Sequence, residues 1–320
     1  MCGLIPPGGV VRERGRRGLV RARAQGALGG LRGRRGVRLP DDPDPFRDAG
    51  PGSESGGETD PFAGGDPDLF DDEGFGGLGD EAFDEEPDSD LPRIDLGIEG
   101  LDAMIQGGVP DRHLLTVIGG AGTGKTTFGL QFLAHGLECG EKCVFITLEQ
   151  SRQSILATAD EWGWGFSEYD RDDKLVVLDI DPIEMANSLD NIQAELPALI
   201  KEFEADRLVL DSVSLLEMMY DNQAKRRTEV LDFTRALKQI GVTTFVTSEA
   251  SESTPYASRN GIIEYLTDGV FILQYVRGEG QETRLAVEIQ KIRNTNHSRA
   301  QKPYEITSEG LSVYEQASIF

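Results

Sequence analysis

In residues 117–132, VIGGAGTGKTTFGLQF, a β-branched run gives way to a glycine-rich turn and then to a helix-forming stretch, with Lys125 where the turn ends. Gly119, Gly124, Lys125 and Thr126 have the spacing G-x-x-x-x-G-K-[ST]. Gly119, Gly120, Gly122 and Gly124, with Ala121 and Thr123 between them, leave room for backbone N–H groups to curl round an anion. The start of a helix adds partial positive charge at the same place. In such a loop Lys125 bridges the β- and γ-phosphate oxygens of a nucleotide, Thr126 places its hydroxyl on Mg2+, and Thr127 continues the lining.

A magnesium nucleotide needs a second acid at the C-terminal end of a neighbouring strand. RLVLD (207–211) supplies Asp211 there, after the loop in the expected order. Glu149 closes CVFITLE (143–149) in the same way, and a carboxylate on the strand beside the phosphate strand can polarise an attacking water. The plainer role for Glu149 is a helix-capping acid ahead of Ser151.

The elements that must position these residues are short β-branched runs. They are LLTVIG (114–119), CVFITLE (143–149), KLVVLDI (174–180), RLVLD (207–211), VTTFVTSE (242–249), GVFILQYV (269–276) and RLAVEIQKI (284–292). Segments of helical length separate the first five, and Leu189, Ile192, Leu196, Leu199, Ile200 and Phe203 recur at the three- and four-residue spacing of an amphipathic helix. Strands alternating with helices predict an α/β fold, a mainly parallel twisted sheet covered on both faces. The last runs have no helical spacers, which predicts antiparallel additions at the C-terminal end.

Only residues 91–320 carry this periodic pattern, and that length suits one α/β domain. Residues 1–40 hold ten arginines and one acid, residues 41–90 hold nineteen acids against Arg47, and the remainder has a net charge of −15 within a total of −24. Neither leader segment has the apolar density to offset chain entropy, so both are expected to be disordered. The acidic segment repeats DPF at 44–46 and 60–62 and DLF at 68–70, a solvating tail or a set of aromatic anchors for an unknown protein partner. No apolar run approaches the ~18–20 residues that span a bilayer, and the expectation is a cytoplasmic protein without membrane segments. Twenty-four arginines against eight lysines, with the acidic balance, fit a salt-rich host cytoplasm such as that of a halophilic archaeon. The cysteines have no Cys/His cluster around them that would make a zinc site.

GIEGLDAMIQGGVPDRHLLTVIGGAGTGKTTFGLQFL (97–133), VFITLEQ, GWG, RLVLDSVSLL, GVTTFVTSE, YLTDGVFILQYV and KIRNTNH, in this order, resemble a KaiC-like ATPase of the RecA superfamily. The resemblance runs from residue 92 to about 316, in one copy. It implies a RecA-like P-loop NTPase fold, with ATP held between the subunits of a homohexameric ring and Glu149 as the catalytic acid. The family often has two adjacent glutamates, and Gln150 stands in the second place here, which bears on the hydrolysis rate. Lys291, Arg293 and His297 fall on the family positions that reach a neighbour's γ-phosphate; by themselves they read as a basic strand end. Some relatives phosphorylate their own Ser/Thr just before the TD that precedes the late strand. Here Glu264 and Tyr265 occupy those places, so self-phosphorylation is not expected there, although Thr267 and Ser258 lie nearby.

Three functions compete. The first is a ring ATPase serving as a nucleotide-dependent regulatory or signalling module. The second is an ATP-dependent DNA-binding, recombinase-like protein. Its affinity would draw on phosphate neutralisation by Lys/Arg, which the −15 domain disfavours. Its best basic groups are Arg226 and Arg227 for a channel and Arg259 in the loop 248–261, opposed by Glu249, Glu252 and Glu264. The third is a nucleotide-dependent scaffold with negligible turnover, suggested by Gln150.

Overall fold

The computed structural model describes residues 91–277 and 283–317. The expectations for residues 1–40 and 41–90 concern segments outside these. Among the described residues the strands run, in chain order, β1 (Arg93–Ile94), β2 (Val109–Pro110), β3 (Leu114–Gly119), β4 (Cys143–Thr147), β5 (Leu175–Asp179) and β6 (Arg207–Asp211). They continue as β7 (Thr243–Glu249), β8 (Gly269–Arg277), β9 (Thr283–Ile292), β10 (Lys302–Thr307) and β11 (Gly310–Val313). β1 and β2 pair as a small antiparallel ribbon, and the other nine form one sheet in the order β11-β10-β9-β8-β3-β7-β6-β4-β5.

From β8 to β5 every ladder is parallel. Parallel strands need crossovers, so both faces are covered, and alternate side chains enter two different cores. In β3, Leu115 and Val117 join one core while Leu114 and Ile118 join the other; Phe145 and Phe271 follow the first pair, Ile146 and Ile272 the second. The first core is centred on the helix Lys125–Glu138, whose Phe128 and Phe132 pack their rings on Phe245. The second is filled from the helices Leu189–Phe203 and Gln223–Ile240. The apolar stripe expected at 189–203 turns Leu189, Ile192, Leu196 and Ile200 inward.

The antiparallel addition starts one strand later than the spacing suggests. β8 follows only a four-residue helix, Ile263–Leu266, yet lies parallel to β3, and β9, β10 and β11 then meander antiparallel along the edge. The expectation that Asp211 and Glu149 end strands adjacent to the phosphate strand is also corrected. β7 and β8 flank β3; β6 is one strand removed and β4 two. Chain order does not prescribe lateral order in a sheet built from long crossovers, and here the chain leaves β3 for β4 and fills the gap afterwards. Among the described residues no helix is long and apolar enough to cross a membrane.

Arg207 at the start of β6 is fully buried beneath the first core. Its guanidinium pairs with Glu141, donates to the carbonyls of Asp95 and Phe132 (both 3.0 Å) and stacks on the Phe132 ring. Arg207→Met should cost about 3 kcal/mol of stability, the lower end for breaking a buried pair, because Glu141 keeps some contact with water. Urea unfolding measures it, and a loss under about 1 kcal/mol would show that the two carbonyls and Glu141 find other partners.

Candidate nucleotide site

β3 delivers the glycine-rich turn to the C-terminal edge of the parallel sheet. Gly119 sits where a Cβ would lie 2.4 Å from Thr123 Oγ1 and 2.7 Å from the Leu273 carbonyl, so only glycine lets the turn begin there. Gly122, with φ +78°, and Gly124, with φ +87°, are both in the left-handed region, the second as the residue capping the helix Lys125–Glu138. The six turn residues do not share one environment. Ala121 and Gly122 are exposed at the crest, so any contact they make with a phosphate is through backbone N–H groups, whereas Thr123 is buried and its side chain serves the turn itself. Thr123 Oγ1 donates to the Gly120 carbonyl (2.9 Å), and the buried Tyr304 of β10 donates its hydroxyl to the Thr123 carbonyl. Burial pushes the Tyr304 phenol well above its ordinary range, so it stays a donor. The turn is therefore held from within and from the antiparallel edge.

Lys125 Nζ folds back over the turn and donates to the carbonyls of Gly119 (2.9 Å) and Gly120 (3.0 Å). Thr126 Oγ1 donates to Asp211 Oδ2 at 2.6 Å, across the intervening β7. Thr247 of β7 fills the gap by donating to Asp211 Oδ1. Asp211 is almost completely buried, and among the described residues no basic side chain pairs with it. A buried carboxylate compensated only by hydroxyls favours a cation beside it, and the Asp211–Thr126 oxygen pair suits a hard divalent ion. Among the described residues no group of three or more His, Cys, Asp or Glu is placed to hold a metal alone, so an ion here would depend on a nucleotide's phosphates, the usual habit of Mg2+.

Glu149 is exposed just beyond β4. It does not cap the following helix: Ser151 does that, accepting from the Ser154 backbone N–H at 3.2 Å. Glu149 Oε1 instead accepts from Ser212 Oγ at 2.7 Å, and Ser212 directly follows Asp211 through a cis peptide. Gln150 is turned away, its amide oxygen taking a hydrogen bond from Ser154 Oγ (3.2 Å). Lys125, Thr126, Asp211 and Glu149 thus share the C-terminal edge of the parallel strands, together with the turn residues Gly119, Gly120, Ala121, Gly122, Thr123 and Gly124 and with Thr127.

Lys291, Arg293 and His297 do not join them. Arg293 hydrogen-bonds through its backbone to Asp268, which is paired with Leu114 at the beginning of β3. The glycine-rich turn follows Gly119, five residues on, so the two groups lie roughly 17 Å apart along one strand. Lys291 Nζ donates to the Glu264 carbonyl at 2.6 Å; burial, and then the charge of Arg293, hold its pKa below the ordinary lysine value. His297 bridges to Ile105, its Nδ1 3.1 Å from the Ser298 carbonyl.

Of the three basic groups weighed for a DNA channel, Arg227 is exposed and the other two are occupied. Arg226 donates to the carbonyls of Glu217 and Tyr220 and to Asn260 Oδ1, and Arg259 pairs with Glu249 at 3.1 Å. The two hydroxyls near the TD are buried and engaged, Ser258 with Glu264 and Thr267 with the Ile263 carbonyl. Thr247, Ser212, Tyr304 and Asp268 escaped the sequence reading. Thr247 could have been noticed as a polar residue near the end of an apolar strand run; Tyr304 had no signal, because its strand brings it to the turn from about 180 residues away.

A glycine-rich loop joining a buried parallel strand to a helix, with a buried acid reaching its threonine, defines on this sheet a P-loop ATPase of the RecA type. The chain belongs to the KaiC ATPase family: residues 94–318 match the family described as "ATPase: KaiC". It is similar to the circadian clock oscillator protein KaiC of Prochlorococcus marinus, 36% identical over 231 residues that cover 70% of this chain and 46% of that protein. The same protein from Synechococcus elongatus is 34% identical over 224 residues, 68% of this chain and 43% of the relative. The chain therefore matches less than half the length of these relatives. Among solved structures, a KaiC-like protein from the hyperthermophilic archaeon Pyrococcus horikoshii OT3 superposes with a TM-score of 0.63 at 34% identity, covering 70% of this chain and 99% of that one.

Proposed function

We propose that this chain binds MgATP at the 119–127 turn and hydrolyses it within a homohexameric ring, whose nucleotide state is read by a partner as a regulatory signal. The observation that carries this reading is the separation of two half-sites. Lys125, Thr126, Asp211 and Glu149 gather at one end of β3, while Lys291 and Arg293 gather at the other, about 17 Å away, too far to meet one nucleotide within a single subunit.

On binding, Lys125 would exchange the carbonyls of Gly119 and Gly120 for the β- and γ-phosphates, while Thr126 and Asp211 hold Mg2+. An ion held by Thr126 and Asp211 would supply charge neutralisation for the phosphates. Glu149 would orient the attacking water. Ser212 occupies its Oε1, which leaves Oε2 to accept the water's proton. Arg293 and Lys291 of the neighbouring copy would stabilise the negative charge on the leaving phosphoryl group, as trans-acting arginines do in related NTPases. His297 would line the same face. A scaffold with little turnover is the second reading, favoured by a Gln150 tied to Ser154; steady-state phosphate release separates the two.

Subunit mixing tests the shared site. Lys125→Ala and Arg293→Ala proteins should each be nearly inactive, the first for want of bound nucleotide and the second for want of a neighbour's charge. After subunit exchange, some interfaces pair an intact turn with an intact Arg293, and partial activity should return. A mixture that exchanges, still binds ATP through the Arg293→Ala copies and stays dead would overturn the trans assignment.

A further inference from the structure

Asp268, the acid of the TD dipeptide, stands directly before β8 and has been given no role above. Its carboxylate Oδ1 accepts from Arg293 NH1 at 3.0 Å and from Lys238 Nζ at 2.7 Å, and its Oδ2 accepts from the Leu114 backbone N–H at 3.2 Å. Its backbone is fixed as well: Asp268 N–H donates to the Leu114 carbonyl (2.7 Å), and the Arg293 N–H donates to the Asp268 carbonyl (2.9 Å). The carboxylate side chain is 14% exposed, whereas that of Arg293 is 54% exposed. Burial alone would raise the Asp268 carboxyl, but the Lys238 hydrogen bond, the Leu114 N–H and the nearby positive charges outweigh it and hold it below the usual aspartate value, so it is ionised.

We infer that Asp268 is a positioning residue for the shared site, fixing the Arg293 guanidinium for a terminal phosphate held by the neighbouring copy. The inference rests on the trans reading of Arg293 proposed above. An exposed arginine carries about 2 kcal/mol of rotamer entropy that it must lose to meet a phosphate. One N–H held by a fixed carboxylate removes much of that loss beforehand and leaves the other donors of the fork directed elsewhere. Charge points the same way. Lys238, Lys291 and Arg293 face the carboxylates of Asp268 and, at Lys291, of Glu264, so three positive charges meet two negative ones and the group keeps a positive excess that an incoming phosphate would complement. Asp268 is in turn tied to the first residue of β3, whose six residues are all buried and which lies at the centre of the nine-stranded sheet, so Arg293 is fixed to a buried central strand.

The test uses the full-length chain. Asp268→Asn should bind ATP within about twofold of the wild type and lose about 10- to 100-fold in kcat, the scale of a misplaced catalytic group. Asp268→Asn/Arg293→Ala should fall no further than Arg293→Ala alone, since both changes remove one function. Mixed with Lys125→Ala subunits, Asp268→Asn subunits should recover activity, because they supply a competent turn and the partner supplies a held Arg293. Asp268→Glu, which keeps the charge, should retain more turnover than Asn. Wild-type kcat in Asp268→Asn, equal losses in Asn and Glu, or a multiplicative double variant would overturn the inference. So would a dead mixture under conditions where Lys125→Ala and Arg293→Ala complement each other. If that control pair also stays dead, the trans reading falls and this inference with it.

Discussion

Lys125→Ala should bind ATP about 10²- to 10⁴-fold more weakly than the wild type while folding normally. Two charge-assisted hydrogen bonds to phosphate oxygens, at about 1.5–3 kcal/mol each, set that range. The fold should survive because the ammonium contacts only the carbonyls of Gly119 and Gly120, at the rim of the sheet and outside both apolar cores. Equilibrium titration with a fluorescent ATP analogue, alongside thermal unfolding, measures both halves. Unchanged affinity would remove the turn as the phosphate site, and a collapsed melting temperature would mean that the lysine holds the turn together.

Glu149→Gln should leave ATP affinity close to the wild-type value and slow single-turnover hydrolysis by ~10²–10⁴-fold, the usual contribution of general-base assistance. The substitution keeps the shape and an oxygen for the Ser212 hydrogen bond, so the local structure should persist. Gln150 cannot substitute, being an amide already bonded to Ser154. Wild-type rates in the variant would assign the water to another group or to none. A parallel loss of ATP binding would instead place Glu149 among the residues that hold the nucleotide.

The conformation of the glycine-rich turn was legible in the sequence because it is set locally. Backbone N–H groups, left-handed glycines at Gly122 and Gly124 and the head of a helix all come from contiguous residues, so spacing alone specifies them. The parallel, doubly covered sheet was legible for a related reason: a strand buried on both faces must be apolar at nearly every position, as LLTVIG is. The place of Asp211 at the end of a strand was legible and the structure brings it to Thr126, but not from an adjacent strand, since β6 does not touch β3.

Lateral order and long-range pairing, by contrast, arise only on folding. That β7 lies between β3 and β6, so that Thr247 bridges to Asp211, depends on how crossovers stack, and no local pattern encodes it. The same holds for Tyr304 reaching the turn and for Ser212 holding Glu149. Lys291 and Arg293 show the contrast most plainly. Their charges are visible in the sequence, but the antiparallel return of β9 is what carries them to the far end of β3, beside Asp268. Side-chain type is a property of a position, whereas the distance between two ends of a strand belongs to the folded sheet, and that distance is the ground for proposing a site shared between subunits.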